Sequence, residues 1–561
     1  MATGNGGVAD KILLGNVITL DPSSSRGEAI ALSGGRILAV GRRDDILKLK
    51  TRATEVEDFG SATIMPGFND AHAHLTAVGL KTLRPTLQGS CSIADVLDRV
   101  RRIAADTPKG EWIVTMPVGE PPYYFEGPSI LAEKRMPNRH ELDQAAPDHP
   151  VYLSMAGGYW GQMPLYASMN SRGLALNGID RNSAPRAAGV QIEHDANGEP
   201  TGIFIEKNFA SVTDLDLLKN VPHFAPDDRV TALRRAMKLV HSKGTTSVYE
   251  GHGSVPDVIA AFRALREAGE LTVRTALVVA ATWNGFEDAE ICMRDHLAYA
   301  GGNGIGDDML RISGVFLPSY GNTKNNHLYD DNRANLGWSD YNRAVNDIGE
   351  FERLCRVAHR HNLRVHTVVS DRLHDVAPAL TRLARDCPLA GRRWVMEHVS
   401  KASMVDLVSL SKLGVGVTLI PANYVWKTGH LFSDTAETPL DLLSPAKALI
   451  ELGVPVAAST DGTPADPLVI MWSMVTRLVR ETGQVAGPNG CLTNEAALRL
   501  LTVAGAWFTF EEKVKGPLSP GFYADLAVMK NDPLLARGDA IMDNTCLATM
   551  VGGRWVYRSE G

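Results

Sequence analysis

Two histidines one residue apart, His72 and His74, close the run Pro66-Gly67-Phe68-Asn69-Asp70-Ala71-His72-Ala73-His74-Leu75. On a strand, residues i and i+2 point to the same face, so both imidazoles can address one point. Imidazole suits zinc, iron, copper or nickel, and a divalent metal turns bound water into a nucleophile at neutral pH. A bare His-x-His is often two unrelated loop histidines. Here apolar Ile64-Met65 and a Pro-Gly bend precede the pair, and further candidates follow. His366, the Glu397-His398 pair and Asp461 stand at or near the C-terminal ends of separate strand-like runs. Two imidazoles from one strand and two from later strands leave coordination positions open, as a catalytic metal site requires. Asp461 can ligate the metal and also accept a proton from its water.

The elements that must position these residues read as strands alternating with helices. Strand-like runs begin at Trp112, Val151, Thr245, Val273, Leu310, Leu363, Trp394, Val415 and Val454. Helical patterns cover Asp228–Ser242, Asp347–Arg360 and Asp371–Arg385, with Pro388 as a stop signal after the last. Such alternation predicts an α/β fold with a parallel sheet, most simply a (β/α)8 TIM-like barrel. In that barrel the C-terminal strand ends face the active site, which brings the five candidates together.

Both termini read as short β segments. Gly34-Gly35 joins two strand-like runs near the start, and Gly552-Gly553 does so near the end. Neither segment is large enough to fold alone, so they are expected to pair into one small β-sandwich. The expected division is residues 1–64 and 511–561 for that domain and 65–510 for the metal-dependent barrel. A stretch at about 85–225, rich in Pro, Gly, Tyr and Asn, fits the repeat poorly and reads as an insertion near the barrel mouth.

Composition sets outer limits. The 561 residues are 44% hydrophobic and 22% charged, which suits a globular chain with a large core. The net charge of −7 argues against broad nucleic-acid binding. Six scattered cysteines without Cys-x-x-Cys spacing read as free thiols in a reducing compartment. No signal peptide and no membrane span are expected, so a cytoplasmic location is the default. The expected partner is a small-molecule substrate, with no nucleic acid or membrane, and a homodimer as the default assembly.

Together the Pro66–His74 run, His366, His398 and Ser459-Thr460-Asp461-Gly462 resemble the amidohydrolase superfamily. The C-terminal run strengthens this: Gly516-Pro517-Leu518-Ser519-Pro520-Gly521, then Ala524-Asp525-Leu526, with Phe522 where a Lys is usual. Glu397-His398 followed by Leu413-Gly414-Val415 and Pro421 is most similar to the family 3 branch, which includes N-substituted formamide deformylase-like proteins. The resemblance implies a metal-dependent hydrolase with one or two divalent ions, zinc foremost. It implies His72 and His74 as first-strand ligands, His366 and His398 as later-strand ligands, and Asp461 as last-strand ligand and proton shuttle, with His398 and Asp461 catalytic. Asp70 would orient a histidine.

The chain departs from the family at two places. Relatives often carry a metal-bridging, carboxylated Lys where Phe316 stands here. Glu250 and His252 end a strand and could supply an alternative ligand. Relatives also tend to carry Gly-His where this chain reads Ala156-Gly157-Gly158-Tyr159-Trp160. Tyr159, Trp160, Tyr424 and Trp426 suit an apolar or aromatic substrate, and Lys427 could meet a carboxylate or oxyanion. The expected reaction is hydrolysis of an amide-like C–N bond by metal-activated water. Alternatives are C–C or ester hydrolysis or a decarboxylation on the same site, or a degenerate barrel serving in binding or regulation.

Overall fold

The computed structural model describes residues 7–124, 127–157, 162–208, 211–281, 283, 285–331 and 344–560. They divide into two compact units. One comprises residues 1–75, 234–320 and 345–561; the other comprises 76–233 and 321–344.

The first unit contains eight parallel strands in one hydrogen-bonded path: β1 (Phe68–Ala73), β2 (Thr245–Ser254), β3 (Arg274–Val279), β4 (Leu310–Phe316), β5 (Val365–Val368), β6 (Val395–Glu397), β7 (Gly416–Leu419) and β8 (Val456–Ala458). Each strand pairs with the next, from β1 against β2 to β7 against β8. A backbone bond from Asp461 N to the His72 carbonyl (2.9 Å) ties the end of β8 back to β1, so the barrel is nearly closed. Seven of these strands were legible as apolar runs downstream of residue 240. The runs at Trp112 and Val151 instead pair with each other in the second unit.

The barrel forms because its strands are apolar on both faces, as parallel strands must be when helices cover the outside. One inner cluster takes Ala71, Tyr249, Ala276, Val278, Phe316, Val395 and Ala457 from six different strands, together with Phe508. A larger outer cluster joins the strands to helices such as Ile348–Arg360, Leu373–Leu383 and Met404–Leu413. Asp347 and Ser403 cap two of these by accepting a backbone N–H of the first turn, each worth about 1 kcal/mol. Gly414, at φ +68°, ends the third helix in the left-handed conformation that glycine adopts without strain.

N- and C-terminal strands of the same unit share one seven-stranded sheet. Glu55–Pro66 lies between Lys11–Ile18, in parallel, and Leu526–Met529, antiparallel. Alternation sends Leu13 and Ile30 to one apolar cluster and Ile12 and Ala29 to another on the opposite face. Because Glu55–Pro66 runs directly into β1, the first metal-candidate strand is anchored by both chain ends.

The second unit has its own five-stranded sheet, ordered Ile113–Thr115, Val151–Leu153, Leu165–Met169, Pro200–Glu206 and Val190–His194. Glu206 is fully buried there, and its carboxylate accepts bonds from Asn208, Ser211, Val212 and Thr213. Asn325 binds Ala188 through both its amide oxygen and its amide nitrogen, tying residues 321–344 to this unit. Among the described residues no helix is long and apolar enough to cross a membrane.

Candidate metal centre

The centre stands at the C-terminal ends of β1, β2, β6 and β8. From β1 comes His72, fully buried, with His74 two residues on. Asp70, on the same strand, does not hold an imidazole. Its oxygens accept Thr460 N (3.0 Å), Thr460 Oγ1 and His72 N (3.3 Å). It thus clamps the turn after β8 against β1, and burial pushes its pKa up to about 6.

That turn delivers Asp461, which adopts φ +57°. Asp461 Oδ1 lies 3.1 Å from His74 Nε2, 3.6 Å from His72 Nε2 and 3.9 Å from His398 Nε2. It is buried, and no neighbour meets hydrogen-bond geometry with it. Burial alone would raise its pKa; the facing His398, His74 and His72 imidazoles hold it well below the usual carboxylate range. His398 Nε2 approaches His72 Nε2 to 2.9 Å. Burial, then the neighbouring His72, pushes the His398 pKa down to about 3, so the ring is neutral at neutral pH.

His252 joins from β2. With His72 and His398 it forms a second triad whose ligating atoms lie within 4.8 Å of one another, beside the triad of His72, His74 and Asp461. Burial and the surrounding imidazoles push its pKa well down. His252 and His398 adopt φ +56° and +60°, a conformation costly for bulky residues, as Asp461 does. Gly251 makes the approach feasible: a Cβ there would sit 2.1 Å from the His72 ring.

Four of the six separations among the His72, His74, His398 and Asp461 donors are 2.9–3.9 Å, close to the spacing around one small cation, and the donors fall into two triads that share His72. Ligand atoms at about 2.0–2.2 Å from a tetrahedral ion are roughly 3.4 Å apart. The nitrogen-rich donor set with one carboxylate is the chemistry zinc takes. The buried Asp461 oxygen, left without a hydrogen bond, is what such an ion would satisfy. The residues present therefore fit a divalent metal.

The other candidates stand elsewhere. His366, on β5, is not grouped with the cluster: Nδ1 bonds Glu397 Oε1 (2.8 Å) and Nε2 bonds the Tyr249 hydroxyl (2.9 Å). Burial pushes its pKa down to about 4. Glu250 accepts Leu75 N at 2.7 Å instead of joining His252. Phe316 packs its ring 5.9 Å from the His252 ring. Tyr424 places its hydroxyl 3.4 Å from His398 Nδ1 and 3.1 Å from Ser370 Oγ. Trp426 turns to Trp472, edge to face at 6.3 Å, and packs against the outer core. Lys427 is buried, and burial pushes its pKa down to about 7 against the pull of Asp461. Tyr159 and Trp160 lie outside the described residues.

Glu397 was legible as the neighbour of His398 at a strand end, but no role was assigned to it. Burial would raise its pKa, but facing His72 and His366 hold it well below the ordinary value. Strand alternation sends adjacent residues to opposite faces, so Glu397 and His398 could not both be placed inward. The left-handed turn at His398 breaks that alternation.

Comparison with known proteins agrees with this fold. The amidohydrolase family profile matches residues 55–557. The chain is 26% identical to N-substituted formamide deformylase of Arthrobacter pascens, over 98% of both chains. It is equally identical to YtcJ of Bacillus subtilis, over 97% of this chain and 99% of that one. Among solved structures, a metal-dependent hydrolase of Pyrococcus horikoshii shares the fold, with TM-score 0.67 at 21% identity, covering 94% of this chain and 98% of the other.

Proposed function

We propose a function from one premise: the chain belongs to the amidohydrolase family. It is a hydrolase that holds one divalent ion, zinc foremost, and cleaves an amide-like C–N bond of a small organic molecule. The observation that carries this reading is the convergence of His72, His74 and His398 on the buried Asp461 Oδ1. The name of the Arthrobacter pascens relative supports an amide-like bond.

His72, His74, His398 and Asp461 would hold the ion, with His252 as a further donor. When bound, the ion polarises the substrate carbonyl and lowers the pKa of water to about 7. The protein supplies the rest. Asp461 is kept ionised, so it can accept the proton of the attacking water and return it to the leaving nitrogen. Burial keeps the His398 and His252 imidazoles neutral near pH 7, so these two compete for no proton. Tyr424 places its hydroxyl beside His398, and Lys427 is buried on the same segment. The clamp from Asp70 to Thr460 fixes the proton acceptor against β1.

The test is a panel of N-formyl and N-acyl amines, scored for release of both acid and amine. Turnover that vanishes on chelation and returns with zinc supports the reading. A zinc-loaded chain that hydrolyses esters but no amide of the panel would overturn the C–N assignment.

A further inference from the structure

We infer that His366 and Glu397 form a positioning dyad for the donor histidines, and that His366 is not itself a ligand. This rests on the metal-dependent reading above and goes beyond it by assigning the residues behind the ligands.

The argument is the direction of a buried hydrogen-bond chain. The Arg364 guanidinium can only donate, and Nη1 reaches the Tyr249 oxygen at 3.3 Å. The Tyr249 hydroxyl then has its own hydrogen for His366 Nε2 at 2.9 Å; its other acceptor, the Ser313 carbonyl, is more distant at 3.4 Å. His366 Nε2 therefore accepts, and Nδ1–H donates to Glu397 Oε1 at 2.8 Å. Both ring nitrogens are used, and neither lone pair faces the cluster. Arg364, Tyr249, His366 and Glu397 are all buried, so water does not compete for these bonds.

The far side of the same carboxylate serves two donors. Glu397 Oε2 accepts the backbone N–H of His252 at 3.3 Å and lies 3.7 Å from His72 Nδ1. His72 Nδ1 is buried without a hydrogen-bond partner, while its Nε2 faces Asp461 and His398. A carboxylate behind a metal-binding histidine fixes its tautomer and ring orientation. Glu397 is placed to do this for His72 while fixing the backbone of His252. His366 fixes Glu397 in turn. His252 supplies the donor that His366 does not.

The experiment titrates zinc into chelator-stripped wild type, Glu397→Gln, His366→Gln and the double variant by calorimetry, with the visible spectrum of each cobalt(II) form. Each single variant is expected to bind about 10–100-fold more weakly at unchanged stoichiometry. The double variant is expected to be little weaker than the poorer single, because residues acting in series do not add. The cobalt band shape should stay that of wild type in all four. A His366→Gln chain with fewer ions, or with a changed cobalt band and losses additive to those of Glu397→Gln, would overturn the assignment. Tyr249→Phe is the gentler variant should His366→Gln not fold. It removes only the hydroxyl on Nε2, and is expected to weaken zinc several-fold at unchanged stoichiometry; wild-type affinity would count against the dyad. A wild-type chain that binds no zinc or cobalt at all would instead overturn the metal reading beneath it.

Discussion

The two ends of the barrel both bury charge, and they treat it in opposite ways. At the N-terminal strand ends Arg274 and Lys515 have their complements, although Arg364 Nη2 and Asn69 Nδ2 are buried without a hydrogen-bond partner. Arg274, which opens β3, makes two bonds to Asp525 (2.6 and 3.1 Å) and two to Asp308, one to its carboxylate (2.7 Å) and one to its carbonyl (3.0 Å), and Tyr523 covers its guanidinium at 3.9 Å. Asp525 also accepts Gly552 N. Lys515 meets Glu511 and Ser247 Oγ. At the C-terminal ends, imidazole nitrogens face each other and a carboxylate oxygen has no hydrogen bond. Three of the donors there, His252, His398 and Asp461, also sit in left-handed backbone. A satisfied network makes a fold specific; an unsatisfied, strained one persists only when function keeps it. The difference marks which end does chemistry.

The contrast is broken most sharply by removing the reactive carboxylate. Asp461→Asn is expected to lower turnover about 10²–10⁴-fold while the chain still binds metal, which paired kinetics and metal analysis would check. Unchanged turnover would remove Asp461 from the proton path. At the other end, Asp525→Ala leaves Arg274 buried without its main partner. A loss of about 3–5 kcal/mol in urea unfolding is expected, with turnover per folded molecule retained. A loss of turnover with wild-type stability would reverse the roles of the two ends.

A pH series sharpens the comparison. His241 is buried at the N-terminal end, between the Thr245 carbonyl and Thr272 Oγ1, both at 2.9 Å. Burial pushes its pKa down to about 4, from 6.5. The unfolded chain therefore takes up the proton first as pH falls. The neutral ring's contribution is whole above about pH 6.5 and is lost towards pH 4, about 3 kcal/mol in all. His241→Gln is expected to flatten that part of the stability profile; an unchanged slope would contradict it. The smallest effect belongs to Gly251→Ala, whose Cβ meets the His72 ring. Displacing that imidazole is expected to weaken metal binding about tenfold or more, measured by competition with a chelator. Full affinity would show that the ring has room to move.

Much of this was legible because it follows from periodicity. The strand–helix alternation gave the barrel, and the glycine pairs at 34–35 and 552–553 gave the terminal hairpins. His72, His74, His398 and Asp461 meet because strand ends in chain order meet in a barrel. What escaped depends on departures from regular strands. Spacing pairs Glu250 with His252, yet the register of β2 against β3 shifts after Glu250 and His252 turns left-handed, so the two separate. Glu397 faces the interior for the corresponding reason at His398. His366 ends a strand as its neighbours do, and no local pattern reveals that Tyr249 and Arg364, far off in sequence, occupy its nitrogen from behind.

The central claim is that the unsatisfied end is completed by a single ion. Elemental analysis of freshly purified chain, before and after dialysis against chelator and reloading with zinc, tests it most directly. Close to one ion per chain, removed by chelator and restored by zinc, is the predicted result. A folded chain that takes up none, or one that holds two, would contradict it.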